Sequence, residues 1–239
     1  MDLTGKVVLV TGSSQGIGAA TANAFAEKGA HVAIHYHVNK AKAQETQRKC
    51  KSKLCLQADL SKLDECRKLI EKVVQEFGRI DVLVNNAGAS TPEGERLSLE
   101  ERWEYMMNVN LRAPFFLSQY AAPHMKKGGC IVNVSSIRAL KPKNALTVYG
   151  TTKAGLAYLT KAMARDVAPE IRVNAVAPGY VRTEMLEEFY GDRIQKLIQE
   201  TTMDRLIKPE EVADAVLFLC QNDAVTGHLL VVDGGYLVR

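Results

Sequence analysis

The chain has 239 residues, of which 46% are hydrophobic and 24% charged, and its net charge is +4. These values suit one well-buried domain, and they exclude a disordered chain and a strongly basic nucleic-acid binder. Five cysteines, odd in number and without a Cys-x-x-Cys pair, indicate reduced thiols in a cytosolic protein, and no apolar run reaches membrane length. We therefore expect a cytoplasmic protein with no nucleic-acid partner and no membrane partner.

Apolar, β-branched runs alternate along the chain with helical patterns. We predict strands at residues 6–11, 31–36, 53–58, 80–85, 130–135, 172–176 and 228–232. We predict helices at about residues 17–28, 39–50, 61–77, 99–125, 149–167, 183–200 and 209–221. Such alternation implies parallel strands with helices on both faces of the sheet. The prediction is an α/β fold, a single domain over residues 1–239 with a Rossmann-type doubly wound parallel sheet of about seven strands.

A glycine-rich turn, from Thr11 to Gly18, joins the first predicted strand to the first helix. Its glycines follow the pattern Gly-x-x-x-Gly-x-Gly, which lets the backbone turn sharply and approach a pyrophosphate closely. The free amide groups and the dipole of the following helix stabilise such an anion. Because the turn stands at the first strand-to-helix junction, it indicates a nucleotide-binding site.

Tyr149 and Lys153 stand four residues apart in a helical pattern, so their side chains share one face. A free tyrosine titrates near ~10, and a neighbouring cation favours the phenolate. Lowering this pKa by about three units requires roughly 4 kcal/mol, within reach of an ammonium and an oxidised nicotinamide in a site shielded from water. The spacing alone is weak support, but a hydroxyl at Ser136 ends an apolar strand 13 residues earlier. The pair is therefore interpreted as a general acid and base.

Seven motifs stand in order along the chain. They are the Thr11 to Gly18 turn, Asn85-Asn-Ala-Gly88, Asn108-Val-Asn110, Ser136, Tyr149-x-x-x-Lys153, Pro178-Gly179 and Asp233-Gly-Gly235. Taken together, these motifs resemble the short-chain dehydrogenase/reductase family, and the resemblance covers essentially the whole chain.

The resemblance implies four catalytic residues. Tyr149 would give a proton to the carbonyl oxygen during reduction, or take it from the alcohol in the reverse direction. Lys153 would lower the pKa of Tyr149 and hold the nicotinamide ribose, and Ser136 would hydrogen-bond the carbonyl oxygen. Asn110 would anchor a water that joins Lys153 to solvent.

A nicotinamide cofactor is implied in the same way. Its predicted contacts are Gly12, Ser14, Gln15, Gly16, Ile17, Gly18, Tyr36, His37, Asp59, Leu60, Asn86, Ala87, Gly88, Tyr149, Lys153, Pro178, Gly179, Val181 and Thr183. No acid ends the second strand, so selection of NAD(H) by a carboxylate is absent. We expect NADP(H), with Gln15 and His37 as neutral phosphate partners, and keep NAD(H) as the alternative because many NADP-using relatives carry Arg in place of Gln15. Asp59, after the third strand, resembles the residue that contacts the adenine in the family, and the alternative interpretation is a helix cap ahead of Ser61.

The predicted substrate contacts are Ser136, Arg138, Tyr149, Met185, Leu186 and Phe189. Residues 183–205 are amphipathic, and in similar proteins this segment closes over the substrate; packing on a second subunit is the alternative. Arg138 is hypothesised to bind an anionic part of the substrate, or else to be an exposed loop charge. His35 and His37 share a strand face, but no further ligand is evident, so we expect no metal.

Within the family, the chain looks most like 3-oxoacyl-(acyl-carrier-protein) reductases, which reduce a β-keto thioester with NADPH, commonly as tetramers. That likeness implies a homotetramer, or a homodimer, and possible docking of an acidic carrier protein on Lys126 and Lys127. Two alternatives stay open. One is a carbonyl reductase or alcohol dehydrogenase acting on a sugar, steroid, polyol or small ketone, and the other is a non-catalytic nucleotide sensor.

Overall fold

The computed structural model describes residues 1–90, 97–144 and 146–239. The strands are β1 (Val7–Val10), β2 (His31–Tyr36), β3 (Leu54–Gln57), β4 (Val82–Asn85), β5 (Gly129–Val134), β6 (Ile171–Pro178) and β7 (Leu229–Val232). The α-helices are α1 (Gly16–Glu27), α2 (Lys40–Cys50), α3 (Leu63–Phe77), α4 (Leu99–Met107), α5 (Ala113–Ala121), α6 (Thr147–Asp166), α7 (Glu184–Tyr190), α8 (Ile194–Gln199) and α9 (Pro209–Gln221). Short 3₁₀ turns cover Ala122–His124, Ile137–Ala139, Gly191–Arg193 and Tyr236–Val238.

All of these strands pair in parallel in one sheet, in the order β3-β2-β1-β4-β5-β6-β7. The strand order reverses between β1 and β4, which is where open parallel sheets bind ligands beyond the carboxyl ends of their strands. The predicted doubly wound sheet of about seven strands is confirmed.

Apolar side chains cover both faces of the sheet. Because successive residues of a strand point to opposite sides, Val8 lies in the core beneath α1 and α9, whereas Leu9 lies in the core beneath α3, α5 and α6. Phe25 of α1 and Leu117 of α5 are among the fully buried side chains of the two cores. Burial on both faces fixes the strands, and with them the strand ends that carry the predicted motifs.

Two predicted helices are interrupted in the structure. The pattern at residues 99–125 is divided by a π-helical turn at Asn108–Arg112 and ends in a 3₁₀ turn. The pattern at residues 183–200 is divided at Gly191, whose φ of 42° is one that side chains rarely tolerate. Hydrophobic periodicity does not register a single inserted residue or a glycine turn, so both stretches looked continuous in the sequence.

Each helix in the described part of the chain is too short or too polar to cross a bilayer.

Candidate active site

The structure brings the predicted cofactor residues to one edge of the sheet, at the carboxyl ends of its strands. They follow β1 (Gly12, Ser14, Gln15, Gly16, Ile17, Gly18), end or follow β2 (Tyr36, His37), follow β3 (Asp59, Leu60), follow β4 (Asn86, Ala87, Gly88), and end or follow β6 (Pro178, Gly179, Val181, Thr183). Residues from five separate parts of the sequence therefore line one continuous edge.

The turn after β1 has no room for side chains at two of its glycines. A Cβ on Gly12, whose φ is +62°, would lie 2.9 Å from Ala87 Cα, and one on Gly18 would lie 2.2 Å from the Gly12 carbonyl oxygen. The Asn86 side-chain amide donates to the Thr11 and Gly12 carbonyl oxygens at 2.8 and 3.0 Å. The turn is thus held by the loop after β4, with its backbone accessible to a ligand.

The first turn of α1 carries no anion of its own. Its N-cap residue, Gln15, makes no side-chain capping bond, and no acidic residue stands in the first turn. A helix N-terminus without a capping side chain or an acidic residue suits an external anion, because its amide groups and dipole favour negative charge. Together with the glycine cradle, the residues present fit a dinucleotide pyrophosphate.

His35 holds the glycine turn through a hydrogen bond to its backbone, a role that the sequence did not reveal. The Gly12 amide donates to Nδ1 of His35 at 3.0 Å, and Nε2 lies 3.1 Å from the Ala58 carbonyl oxygen, so Nε2 carries the proton. Burial lowers the pKa of His35 to about 4, which keeps the ring neutral. In the described residues no group of three or more potential metal ligands occurs.

A lysine that the sequence analysis missed contacts Gln15, one of the two predicted phosphate partners. Lys42, in the first turn of α2, donates to Gln15 Oε1 at 3.1 Å and forms an ion pair with Glu184 at the start of α7. Tyr36 is buried, whereas His37 is exposed. A lysine soon after the second strand was a readable signal, but nothing in the sequence placed it against Gln15, 27 residues away.

Asp59 and Leu60 follow β3. Oδ1 of Asp59 accepts hydrogen bonds from the Ser61 amide and hydroxyl groups at 3.0 and 2.7 Å, while Leu60 is buried. The helix begins later, at Leu63, with Lys62 at its N-cap, so Asp59 stabilises the turn that leads into α3 without capping it directly. The adenine contact of Asp59 stays a prediction.

Lys153 is buried at the end of β5. Its ammonium donates to the Val134 carbonyl oxygen at 2.8 Å and lies 5.7 Å from the centroid of the Tyr149 ring. Burial alone lowers the pKa of Lys153 to about 8. The neighbouring Ser135 hydroxyl donates to the Lys153 carbonyl oxygen at 2.9 Å, so Ser135 braces α6 while Ser136 is the serine beside Tyr149.

Burial and neighbouring polar groups act in opposite directions on the pKa of the Tyr149 phenol. Burial raises its pKa above the ordinary value, and a hydrogen bond with Ser136 and the charge of Arg138 act in the opposite direction. In the protein alone burial prevails, so the phenol is protonated at neutral pH and able to donate a proton. That Lys153 lowers this pKa stays a prediction for the loaded site, where the cofactor adds its own charge.

Asn110 occupies the middle of the π-helical turn and is fully buried. Its Oδ1 accepts from the Ala89 amide at 2.8 Å, and its Nδ2 donates to the Ala89 carbonyl oxygen at 2.7 Å and to Thr152 Oγ1 at 3.1 Å. A Cβ on Gly88 would lie 3.3 Å from Lys153 Nζ and 3.4 Å from Asn110 Oδ1. Asn110 therefore ties the loop after β4 to α6 directly beside Lys153.

The loop after β6 ends against the glycine turn. Gly179 has no room for a side chain, since a Cβ there would lie 2.8 Å from Asp233 Cα, and Val181 pairs with Ile207. The Thr183 hydroxyl caps α7 by accepting from the Leu186 amide at 3.2 Å. The Thr183 methyl group would touch a Cβ on Gly16 at 3.2 Å, so the predicted covering segment begins next to the cofactor turn.

The predicted substrate wall is divided by the structure. Met185 and Phe189 are exposed on α7, whereas Leu186 packs on the small core of Ile137 and its neighbours. The alternative that Arg138 is an exposed loop charge is wrong, whereas its contact with an anionic part of the substrate stays a prediction. Its side chain is only 6% exposed, and its guanidinium donates to the hydroxyl groups of Tyr180 and Tyr236.

Comparisons with known proteins agree with this geometry. The sequence model of a family described as enoyl-(acyl carrier protein) reductase matches residues 12–237. The 3-oxoacyl-(acyl-carrier-protein) reductase FabG of Thermotoga maritima is 38% identical over the full length of both chains. Glucose 1-dehydrogenase 2 of Bacillus subtilis is 36% identical over 98% of this chain and 95% of its own.

Among solved structures, a short chain dehydrogenase from Burkholderia cenocepacia in complex with NADP superposes with a TM-score of 0.92. It is 34% identical, and the match covers 99% of this chain and 100% of that one. The fold, the site geometry and these matches lead to one conclusion. The chain belongs to the short-chain dehydrogenase/reductase family of NAD(P)-dependent oxidoreductases.

Proposed function

We propose that this enzyme uses NADPH to reduce a carbonyl group to an alcohol, and that its substrate is the keto group of a 3-oxoacyl thioester. The observation that carries the proposal is the grouping of Ser136, Tyr149 and Lys153 at the end of β5, beside the glycine turn that follows β1. A proton donor and a dinucleotide site so placed suit reduction of a small carbonyl compound.

The bound nicotinamide would supply the hydride, and the protein's residues manage the proton. Ser136 would hydrogen-bond the carbonyl oxygen and orient it toward Tyr149, whose phenol would then donate its proton to that oxygen. The buried Lys153 ammonium stabilises the phenolate left behind, because a charge acts more strongly where water is excluded. Asn110, bonded to Thr152 beside Lys153, would hold the water through which the proton is replaced.

A preference for NADP(H) over NAD(H) rests on the charges at the end of β2. No acidic residue ends β2 to bind ribose hydroxyls, and Lys42, hydrogen-bonded to Gln15 and ion-paired with Glu184, offers a cation at this site. Lys42 would therefore serve as the charged partner of the adenosine 2′-phosphate, with Gln15 and His37 as neutral partners. The NADP complex of the Burkholderia relative supports the same preference.

The acyl thioester is favoured by the FabG relative, and a sugar by the glucose dehydrogenase relative. The exposed apolar side chains of Met185 and Phe189 favour an acyl chain over a sugar as the substrate, because a pocket that binds a sugar needs polar groups. Lys126 and Lys127, exposed before β5, are the proposed contacts for an acidic carrier protein, and residues 183–205 are the proposed substrate cover. We also propose a homotetramer, or a homodimer, in which exposed apolar residues on α4 (Leu99, Trp103) and α9 (Phe218) would be covered.

The experiment is a comparison of initial rates of cofactor oxidation. NADPH and NADH are each supplied with acetoacetyl-coenzyme A and with a panel of simple ketones, and glucose oxidation is tested with NADP⁺ and NAD⁺. Rapid NADPH oxidation on the thioester supports the proposal. Turnover only on ketones or glucose, or only with NAD(H), refutes the acyl substrate or the cofactor preference, and no turnover on any substrate favours the sensor alternative.

A further inference from the structure

Arg138 is a buried charge immediately after the serine of the site. It lies in the 3₁₀ turn Ile137–Ala139, and 6% of its surface is exposed. A buried cation is costly unless its donors are satisfied, so its partners indicate what the residue does. Those partners come from distant parts of the sequence.

Two tyrosines hold the guanidinium. Arg138 donates to the Tyr180 hydroxyl at 2.9 Å and to the Tyr236 hydroxyl at 3.1 Å, and its charge lies 5.4 and 4.8 Å from the centroids of the two rings. The rings meet edge to face, with centroids 5.3 Å apart. The contacts join the serine turn to the loop after β6 and to the last turn of the chain, and they combine charge with aromatic faces.

The network continues to the predicted substrate cover. The Tyr180 hydroxyl donates to Glu200 at 2.7 Å and accepts from Lys143, while the Lys143 ammonium lies 3.4 Å from the same carboxylate. Burial and the bond to Glu200 raise the pKa of Tyr180, so it stays a neutral phenol. A further cation, the Lys141 ammonium, lies 4.8 Å from the centroid of the Tyr236 ring, so with three cations and one carboxylate the network keeps a surplus positive charge.

The same turn contacts Ser136 and the residue that follows Tyr149. The Arg138 amide donates to Ser136 Oγ at 3.1 Å, and the Arg138 carbonyl oxygen lies 3.2 Å from where a Cβ on Gly150 would stand. Gly150 directly follows Tyr149, so the turn rests on the helix at the catalytic tyrosine. Displacing the turn would therefore alter the geometry of Ser136 and Tyr149 together.

We propose that Arg138 is a positioning residue for the Ser136–Tyr149 pair. Clamped by Tyr180 and Tyr236, it holds the serine turn against α6 and keeps a permanent positive charge beside the phenol. The proposal rests on the role of Tyr149 as proton donor.

The positive charge of Arg138 is permanent, whereas that of Lys153 depends on pH. Burial lowers the pKa of Lys153 to about 8, so this ammonium loses its proton in mildly alkaline solution, whereas a guanidinium keeps its charge. The charge of Arg138 also acts to lower the pKa of Tyr149. The titratable and charged groups that face Tyr149, or that belong to the network around Tyr180 and Tyr236, are Lys153, Arg138, Tyr190, Tyr180, Tyr236, Lys141, Lys143 and Glu200.

The test measures the phenol itself and needs no substrate. Position 149 is replaced by 3,5-difluorotyrosine, whose phenol titrates below that of tyrosine, and fluorine NMR follows its titration. Arg138→Met is predicted to shift the midpoint to higher pH. Arg165→Met, which removes an exposed arginine from the far end of α6, is predicted to leave it in place. Equal midpoints in the Arg138→Met variant and the parent protein would overturn the proposal.

Two milder variants separate charge from clamping and serve if Arg138→Met does not fold. Arg138→Lys keeps the charge but loses the planar guanidinium, which donates to two hydroxyl groups at once. Tyr236→Phe removes one of these two hydroxyl groups. Both are predicted to keep the parent midpoint while kcat falls several-fold at an unchanged KM for NADPH. If kcat is unchanged in both, the positioning role is refuted. Failure of the proposed reaction itself appears as absent turnover in the parent protein, a result independent of the NMR titration.

Discussion

The ammonium of Lys153 donates to the main-chain carbonyl of Val134 at 2.8 Å, which ties the catalytic helix α6 to the end of β5. With 3% of Lys153 exposed, the bond sets a charge in the protein interior directly behind Tyr149. Burying that charge costs stability, because water solvates an ammonium better than one carbonyl does. Stability alone therefore does not favour a lysine at position 153, and such a costly buried group is expected of a functional residue.

Lys153→Met should therefore stabilise the ligand-free protein while abolishing activity. A folded pKa of about 8 against an ordinary value of 10.5 corresponds to a penalty of about 3 kcal/mol at pH 7. Since the unfolded state binds more protons between these two values, the penalty shrinks as pH rises through them. After allowing about 1 kcal/mol for the lost bond to Val134, we expect a gain of about 2 kcal/mol at pH 7 that decreases by pH 9.5.

Urea unfolding at the two pH values checks this prediction. Lys161→Met, an exposed change on the same helix, is the control and should alter stability by less than about 0.5 kcal/mol. A Lys153→Met protein less stable than the parent at pH 7 would show that the buried ammonium is a net stabiliser.

Tyr149→Phe should lower kcat by a factor of about 10² to 10⁴, the usual contribution of a positioned proton donor. The ring and its packing remain, so the Kd for NADPH, measured by fluorescence, should stay close to that of the parent. Tyr158→Phe is the matched control, because Tyr158 lies on the same helix with 76% of its surface exposed. Equal loss of activity in both variants would argue against Tyr149 as the proton donor.

Lys42→Gln should weaken binding of NADP⁺ by about 10- to 100-fold, the range for a hydrogen bond to a charged group, and leave NAD⁺ binding nearly unchanged. The same selective loss is expected for 2′,5′-ADP against 5′-AMP, which locates the effect at the 2′-phosphate. Isothermal titration calorimetry provides all four affinities, with Lys40→Gln, an exposed change on the same helix, as the control. A parallel loss for both dinucleotides would place Lys42 outside the phosphate site.

His35 should make the protein sensitive to mild acid. Its folded pKa of about 4 lies below its ordinary value of 6.5, so the unfolded state binds more protons between them, and stability falls as pH falls through that window. The loss from this residue between pH 7.5 and pH 5 is about 2 kcal/mol. In His35→Asn, urea unfolding should show that much less difference between the two pH values; an undiminished difference would assign the acid sensitivity to other groups.

Local patterns were sufficient for much of this fold and site. The glycine turn was predictable because its three glycines lie within seven residues directly after a strand. The sheet was predictable because strands and helices alternate regularly. The burial of Arg138 was not predictable, because its partners Tyr180 and Tyr236 lie 42 and 98 residues away in sequence. Alternation placed His35 and His37 on one face, but nothing local indicated that His35 would accept the Gly12 amide. Contacts between distant loops therefore account for most of what the sequence left open.

We infer that the protein moves a hydride from NADPH to a carbonyl carbon with Tyr149 as the proton donor, and isotope transfer tests this directly. Acetoacetyl-coenzyme A is incubated with NADPH that carries two deuterium atoms at C4, so that transfer from either face is detected. Mass spectrometry then measures the deuterium in the alcohol product. We predict one deuterium per product molecule with the parent enzyme and almost no product with Tyr149→Phe. Absence of deuterated product from this thioester and from every ketone in the panel, or equal yields from the two proteins, would contradict the account.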